Sequence, residues 1–279
     1  MNGPSVYAGR KASLASMHDK LPLVAPPMKE LLCLDVFTAP VDTDRFGMFT
    51  GEVERTAGQF DTAVSKARLG MEATGAPIGF ASEGSICVAG FVPVMSDLET
   101  VVIVDDTEGF VLAESSESHS IITHSWKLNN GLPTRDDLER AGFPEHGLIV
   151  RSDAAAGPVF KGIHSLEELT DAVTACRVAT GAPVRVESDL RANHCPSRRP
   201  TIASAARRLA ERLTVQCSSC GCPGWGRVDV LRGRPCRLCR HATQGVVADV
   251  LGCPRCAHRA TGTACEVSAD PSTCGYCNP

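Results

Sequence analysis

Residues 58–85 read GQFDTAVSKARLGMEATGAPIGFASEGS, and their periodicity decides the fold class. Phe60, Val64, Ala67 and Met71 recur at helical spacing and share one face, with Lys66 and Glu72 off that stripe and Gly75 as the stop. Ile78-Gly79-Phe80-Ala81 then reads as a buried strand running into a polar turn, Ser82-Glu83-Gly84-Ser85. A helix followed by a strand of this kind is the repeating unit of α/β architecture.

Working outward, the same alternation recurs. Val6 to Ala15 is expected to be an interrupted strand, and Leu31–Phe37 (LLCLDVF) a second one. Leu98–Val104 and Gly109–Ala113 flank Asp105-Asp106-Thr107-Glu108 as a hairpin. Residues 115–135 read as polar and irregular. Leu148–Val150 and Val184–Val186 read as strands, and residues 165–179 as a helix capped by Ser165. Residues 201–214 (TIASAARRLAERLT) carry Ile202, Ala206, Leu209 and Leu213 on one face. The expectation for residues 1–214 is an α/β domain with a mixed sheet, followed from about Val215 by a small separate module.

That module, residues 215–279, is defined by cysteine. Ten of the 14 cysteines lie between residues 217 and 277, eight of them as Cys217/Cys220, Cys236/Cys239, Cys253/Cys256 and Cys274/Cys277. Gaps of 15 and 17 residues separate the first two and the last two pairs, within the range of zinc sites. Each Cys-x-x-Cys turn aims two thiolates at one ion, and two turns complete a tetrahedron. A module this poor in apolar residues needs metal to fold. Two structural Zn2+ sites are therefore expected, with disulfides or an iron–sulfur cluster as the alternatives. Sequential pairing into a double zinc ribbon is expected, with a cross-brace as the other connectivity. Cys222 and Cys265 are left over as spare thiols, and His241 and His258 read as ordinary surface histidines.

The net charge of −4 is unevenly spread. Residues 1–184 carry 14 basic and 25 acidic side chains, whereas residues 185–260 carry 14 arginines against 5 acids. An Arg-rich 185–260 region, with Trp225 available for stacking, makes nucleic acid a candidate partner. The bland alternative is arginine that keeps a core-poor module in solution. No apolar run approaches the ~18 residues of a membrane span. No secretory leader is evident, so the default expectation is a cytoplasmic protein without a membrane partner.

Three polar clusters in the body could carry chemistry. Ser16-Met17-His18-Asp19-Lys20 follows a strand, where backbone N–H groups and a lysine can hold an anion. Asp42 to Arg55 concentrates carboxylates, Glu52 among them, that need a cation or arginine between them. Ser82-Glu83-Gly84-Ser85 ends a strand, where α/β proteins place their chemistry. Acids that bind Mg2+ beside lysines that bind phosphate suit phosphoanhydride cleavage. P-loop, dinucleotide-fold, zincin and esterase motifs are absent from the sequence, which disfavours those classes. His146 and His194 are candidate acid–base groups, although a lone histidine is more often only hydrogen-bonded.

The chain resembles a bacterial family of uncharacterised proteins. The marks are Gly9-Arg10, Met17-His18-x-Lys20, Asp42–Gly47, Thr50–Glu52, Lys66–Arg68, Ala81–Ser85, Phe143–Gly147, Lys161–Ile163 and a Cys-rich tail ending Cys277-Asn278-Pro279. The motif order also remotely resembles the inosine triphosphate pyrophosphatase and Maf-like fold. That resemblance implies Ser16, His18, Lys20, Lys66 and Arg198 at the phosphates of a nucleotide-like substrate. It implies Glu52 and Glu83 as the groups that hold Mg2+ and orient the attacking water. The expected function is thus a Mg2+-dependent nucleotide or phosphoanhydride hydrolase with a structural zinc tail; the rival is a zinc-ribbon binding module on an inert body.

Overall fold

Strand β1 (Lys11–Ala15) organises the body, pairing in parallel with β2 (Asp35–Thr38) on one side and β3 (Ile78–Val88) on the other. Strands β4 (Met95–Asp105) and β5 (Phe110–Ser118) extend the sheet antiparallel, giving the order β2-β1-β3-β4-β5. The computed structural model describes residues 5–47, 57–88, 94–128, 131–154 and 157–278. Helices α1 (Leu21–Leu32) and α5 (Arg199–Leu213) cover one face of this mixed sheet, burying Leu14, Phe80, Val101 and Ile103 against Met28, Leu32, Ala206 and Leu209. Helix α2 (Gln59–Thr74) covers the other, over Ala15, Ala81, Val102 and Val104. With both faces covered, β1 after Lys11 and the first half of β3 are buried without alternation, Ser13 included.

Residues 125–188 form a second sheet, all antiparallel, with the order β6-β9-β7-β8. Its strands are β6 (Ser125–Leu128), β7 (Leu148–Ser152), β8 (Val159–Ile163) and β9 (Val184–Ser188). Short helix α3 (Arg135–Arg140) and α4 (Leu166–Thr180) accompany it, α4 burying Leu169, Val173 and Cys176 on Val150 and Val186. Ser165 caps α4 in a reciprocal capping box with Glu168, as its position before the helix suggests.

Several local expectations need correction. Val6–Gly9 is a turn, and the strand begins only at Lys11. Leu31 and Leu32 end a helix rather than open a strand; Pro22, Pro26 and Pro27 disguise α1, which tolerates them because Val24, Met28 and Leu32 anchor it in the core. Ser82–Ser85 is not a turn but the middle of an 11-residue strand, held by β4 along its whole length. Residues 115–135 hold the end of β5 and all of β6. Lys66, placed off the apolar stripe, is buried while Phe60 is exposed, because an ion pair draws the lysine inward.

The tail contains a three-stranded antiparallel sheet, β10 (Gly226–Arg232), β11 (Val246–Gly252) and β12 (Arg259–Thr261), where little regular structure is legible in the sequence. Helix α5 ends at Leu213, and the body's core continues beyond it into the tail. Cys217, Cys222 and Cys253 pack in the same cluster as Phe110, Leu112 and Leu213. No helix among the described residues is long and apolar enough to cross a membrane.

Candidate active site and metal centres

The polar junction of the body arises from unequal strand lengths. β1 stops at Ala15, paired with Ala81, while β3 continues to Val88. Beyond Ala81 the β1 side of β3 is met by the Ser16–Lys20 connection. Lys20 Nζ donates to Ser82 Oγ at 2.9 Å. On the α2 face, Lys66 Nζ stands 2.7 Å from Glu83 Oε2, and Gln59 Nε2 donates to the Glu83 and Leu98 carbonyls. On the α5 face, Arg198 Nε donates to Glu99 Oε1 at 2.8 Å, and its Nη1 donates to the Leu190 carbonyl. The register sets Glu99 opposite Gly84, where an added Cβ would run into the Arg198 guanidinium. Only glycine lets arginine lie flat on the sheet there.

The structure therefore gathers four of the expected site residues around β3 as two pairs on its opposite faces, Lys66 with Glu83 on the α2 side and Lys20 with Arg198 on the α5 side. Ser16 and His18 lie beside them: Ser16 Oγ accepts from the His18 backbone N–H, and His18 Nε2 is 3.1 Å from Asp44 Oδ1. Burial lowers the His18 pKa to about 4 against the pull of Asp44, so the ring is neutral near pH 7. Glu52 lies outside the described residues, as do Thr50 and Arg55.

Sequence reasoning missed Asp97 and Glu99. Both side chains are fully buried, yet Asp97 Oδ1 and Oδ2 and Glu99 Oε2 accept no hydrogen bond among the described residues. The Thr201 hydroxyl neighbours Asp97, and Arg198 Nε is 3.8 Å from Asp97 Oδ1. Burial, then the charge of Glu99, raises Asp97 to about 7. Burial lowers Lys20 to about 8, against the attraction of Glu99. A detectable signal existed: two acids two residues apart at the start of an apolar strand share one face, and here that face is the core. Orphaned buried carboxylate oxygens are costly unless a cation meets them.

The tail holds two four-cysteine groups, but not in sequential pairs. Cys217, Cys220, Cys253 and Cys256 form one, and Cys236, Cys239, Cys274 and Cys277 the other, each with its sulfurs within 4.8 Å of one another. Sγ–Sγ distances between the two knuckles are 3.8 and 3.6 Å in the first group and 3.9 and 3.6 Å in the second. Four thiolates ~2.3 Å from a central Zn2+ would stand ~3.8 Å apart. The spacing suits one ion such as zinc and leaves no room for a polynuclear iron–sulfur cluster.

The hairpin explains the cross-brace. β10 leaves the first knuckle and β11 returns antiparallel, with Gly226 opposite Gly252, so Cys253 arrives beside Cys217. The second knuckle, at the far end of the hairpin, can then only meet the fourth. Three knuckles share one backbone device, with Cys217, Cys236 and Cys253 N–H donating to the carbonyls of Cys222, His241 and His258. His258 stacks on Trp225 and His241 on Tyr276, so both are ring-stacked rather than ligands. Cys222 is a buried fifth sulfur, its thiol pushed up to about 12 by burial.

The tail arginines are largely engaged within the protein. Arg255 donates to the Cys220 carbonyl and to Glu108, Arg259 to the carbonyls of Cys253, Cys256 and His258, and Arg234 to that of Val246. Arg237 pairs with Asp270 and Arg227 with Asp249.

A family described as a domain of unknown function, DUF6671, matches residues 66–279, well over half of the chain. The chain belongs to the DUF6671 family. Both four-cysteine groups and the Lys66, Glu83, Asp97, Glu99 and Arg198 portion of the junction lie inside the DUF6671 match, whereas Ser16, His18 and Lys20 precede it. Among the curated proteins none matches this DUF6671 chain, and nothing in these comparisons supports the likeness to the inosine triphosphate pyrophosphatase and Maf-like fold.

Proposed function

We propose that the body is a Mg2+-dependent hydrolase of a nucleotide or similar phosphoanhydride, and that the tail is a structural zinc module. The observation that carries this reading is that three cationic and three acidic side chains flank β3 where β1 ends, Lys66 and Glu83 on the α2 side and Lys20, Arg198, Asp97 and Glu99 on the α5 side, two of the acids with unsatisfied oxygens. Lys20, Lys66 and Arg198 would meet phosphate oxygens, Arg198 as a planar fork held in place by Glu99. Asp97 and Glu99 would hold the Mg2+, which neutralises charge building on the phosphates. Glu83, fixed by Lys66, would orient the attacking water. The likeness to the inosine triphosphate pyrophosphatase fold enters only as motif order, consistent with this chemistry.

Mg2+-dependent release of phosphate or pyrophosphate from some member of a nucleotide panel, abolished in Glu83→Gln, is the expected result. No release across the panel, by protein that retains its zinc, sinks the proposal. Docking of the tail on nucleic acid has less support, since its arginines are spent on knuckle carbonyls and internal carboxylates.

A further inference from the structure

Helix α5 begins without a cap of its own. The segment Cys195-Pro196-Ser197-Arg198-Arg199-Pro200 enters the helix through a single 3-10 turn, Pro196–Arg198, and neither start has a side-chain cap. Proline carries no N–H, so Ser197 is the first residue of the turn with a donor to satisfy. Its acceptor comes from 51 residues away: the Ser197 N–H donates to His146 Nε2 at 3.2 Å. A backbone N–H only donates, so Nε2 is the bare nitrogen and the His146 proton sits on Nδ1. Gly142 leaves space for this buried ring; at φ +70, a Cβ there would stand 2.6 Å from Nδ1.

The turn that carries His146 grips the connection between β9 and α5 twice more. The Gly147 N–H donates to the His194 carbonyl, and the Asp189 N–H to the Gly147 carbonyl, both at 2.8 Å. His164 links the two stretches, with Nδ1 2.6 Å from the Pro144 carbonyl and Nε2 2.8 Å from His194 Nδ1. The Ser197 hydroxyl accepts from the Ile122 N–H. What this connection delivers is Arg198, the residue after Ser197. Its guanidinium donates to Glu99 and to the carbonyl of Leu190, which belongs to the same connection. The Phe143–Gly147 motif thus reaches the junction through the backbone next to Arg198.

We propose that His146 is the positioning residue for Arg198, holding the start of α5 so that the guanidinium lies on Glu99; that the fork so placed meets phosphate rests on the hydrolase reading above. The role requires a neutral ring on two counts. Only a bare Nε2 accepts from Ser197, and an imidazolium would set a positive charge at the helix N-terminus that carries Arg198. Burial, acting first, lowers the His146 pKa, against the Gly142 carbonyl and the charge of Glu145. Glu145 is the charged group that acts on the ring, whereas Ser197 and Gly142 present uncharged backbone. The ring is therefore neutral near pH 7 and takes a proton only below the ordinary histidine range. That protonation breaks the bond to Ser197 and loosens Arg198.

Nitrogen-15 NMR of the full chain tests the positioning without substrate. Wild-type protein should show the His146 Nδ1–H tautomer, a scalar coupling across the hydrogen bond from Ser197 N to His146 Nε2, and an Arg198 Nε–H protected from exchange. His146→Leu keeps the bulk and removes the acceptor, so that protection should fall ~10-fold; His146→Gln, whose amide oxygen accepts, should restore it. On acidification the wild-type Arg198 Nε–H should lose protection as the ring protonates, and that of His146→Gln should not. An Nε2–H tautomer, an Arg198 signal indifferent to His146→Leu, or equal acid sensitivity in wild type and His146→Gln overturns the proposal. If His146→Leu does not fold, the comparison of wild type with His146→Gln decides alone. Titration with Mg2+ and inorganic pyrophosphate separates the proposal from the hydrolase reading. Pyrophosphate should bind wild type and His146→Gln alike and His146→Leu ~10-fold more weakly. Equal binding to all three overturns the positioning role. No binding to any of them, with the Arg198 signals behaving as expected, overturns the hydrolase reading and leaves the positioning of Arg198 standing.

Discussion

Asp97 is the residue whose titration reports most directly on the buried junction. Its folded pKa of about 7 stands above the ordinary carboxylate value because burial disfavours the charged form. A raised folded pKa means the folded state holds a proton that the unfolded state has lost, so stability falls as pH rises from ~4 to ~7 and levels off above. Asp97→Asn should flatten that decline, which amounts to a few kcal/mol in order of magnitude. Thermal melts across this pH range check it; a mutant with the wild-type slope refutes the assignment. Mg2+ should raise the wild-type Tm more at pH ~7.5 than at pH ~5, because ionised Asp97 is the better ligand, and Asp97→Asn should lose most of that gain. Lys20 works in the opposite sense. Its pKa of about 8 leaves it neutral on mild alkalinisation, so phosphate binding should weaken as pH rises through 8.

At the scale of elements, two backbone positions carry testable cost. In the first knuckle Gly221 takes φ +71, and in the second the matching position is Arg240 at φ +65. A non-glycine residue pays for this left-handed conformation, so Arg240→Gly should stabilise the second metal site by about 1 kcal/mol. Chelator challenge, read as slower metal release, measures it. Gly84 is the converse case on the β3–β4 ladder. Gly84→Ala would push against Arg198 and bring a methyl 2.8 Å from Glu99 Oε1, so it should cost about 1–3 kcal/mol and detach Arg198 from Glu99. Urea titration gives the first quantity, and a normal midpoint would show that the sheet yields there without cost.

Across the whole molecule the two four-cysteine groups are unequal. The first is continuous with the body, sharing its core and tied to it by the Arg212 hydrogen bond to the Gly224 carbonyl and the Arg255–Glu108 ion pair. The second sits at the far end of the hairpin, away from that cluster. Structural zinc contributes ~10–16 kcal/mol in small peptides, comparable to the whole stability of a domain. Cys253→Ser should therefore destabilise α5 and the five-stranded sheet as one unit, whereas Cys277→Ser should loosen only residues around β10–β12. Hydrogen exchange on α5 separates the two, and equal protection in both mutants would contradict the asymmetry.

Spacing and periodicity act over a few residues, and they carried what is local: the Cys-x-x-Cys knuckles, the capped helices, the β4–β5 hairpin, and the polar character of Ser16–Lys20 and Ser82–Ser85. Which knuckle faces which depended on an antiparallel hairpin whose register lies in contacts about 20 residues apart. That Lys66 points inward, and that Asp97 and Glu99 are functional candidates rather than a solvated strand end, depended on partners brought from other segments. A side chain's burial and the pairing of its charge are set by what packs against it, and those neighbours exist only once the chain has folded.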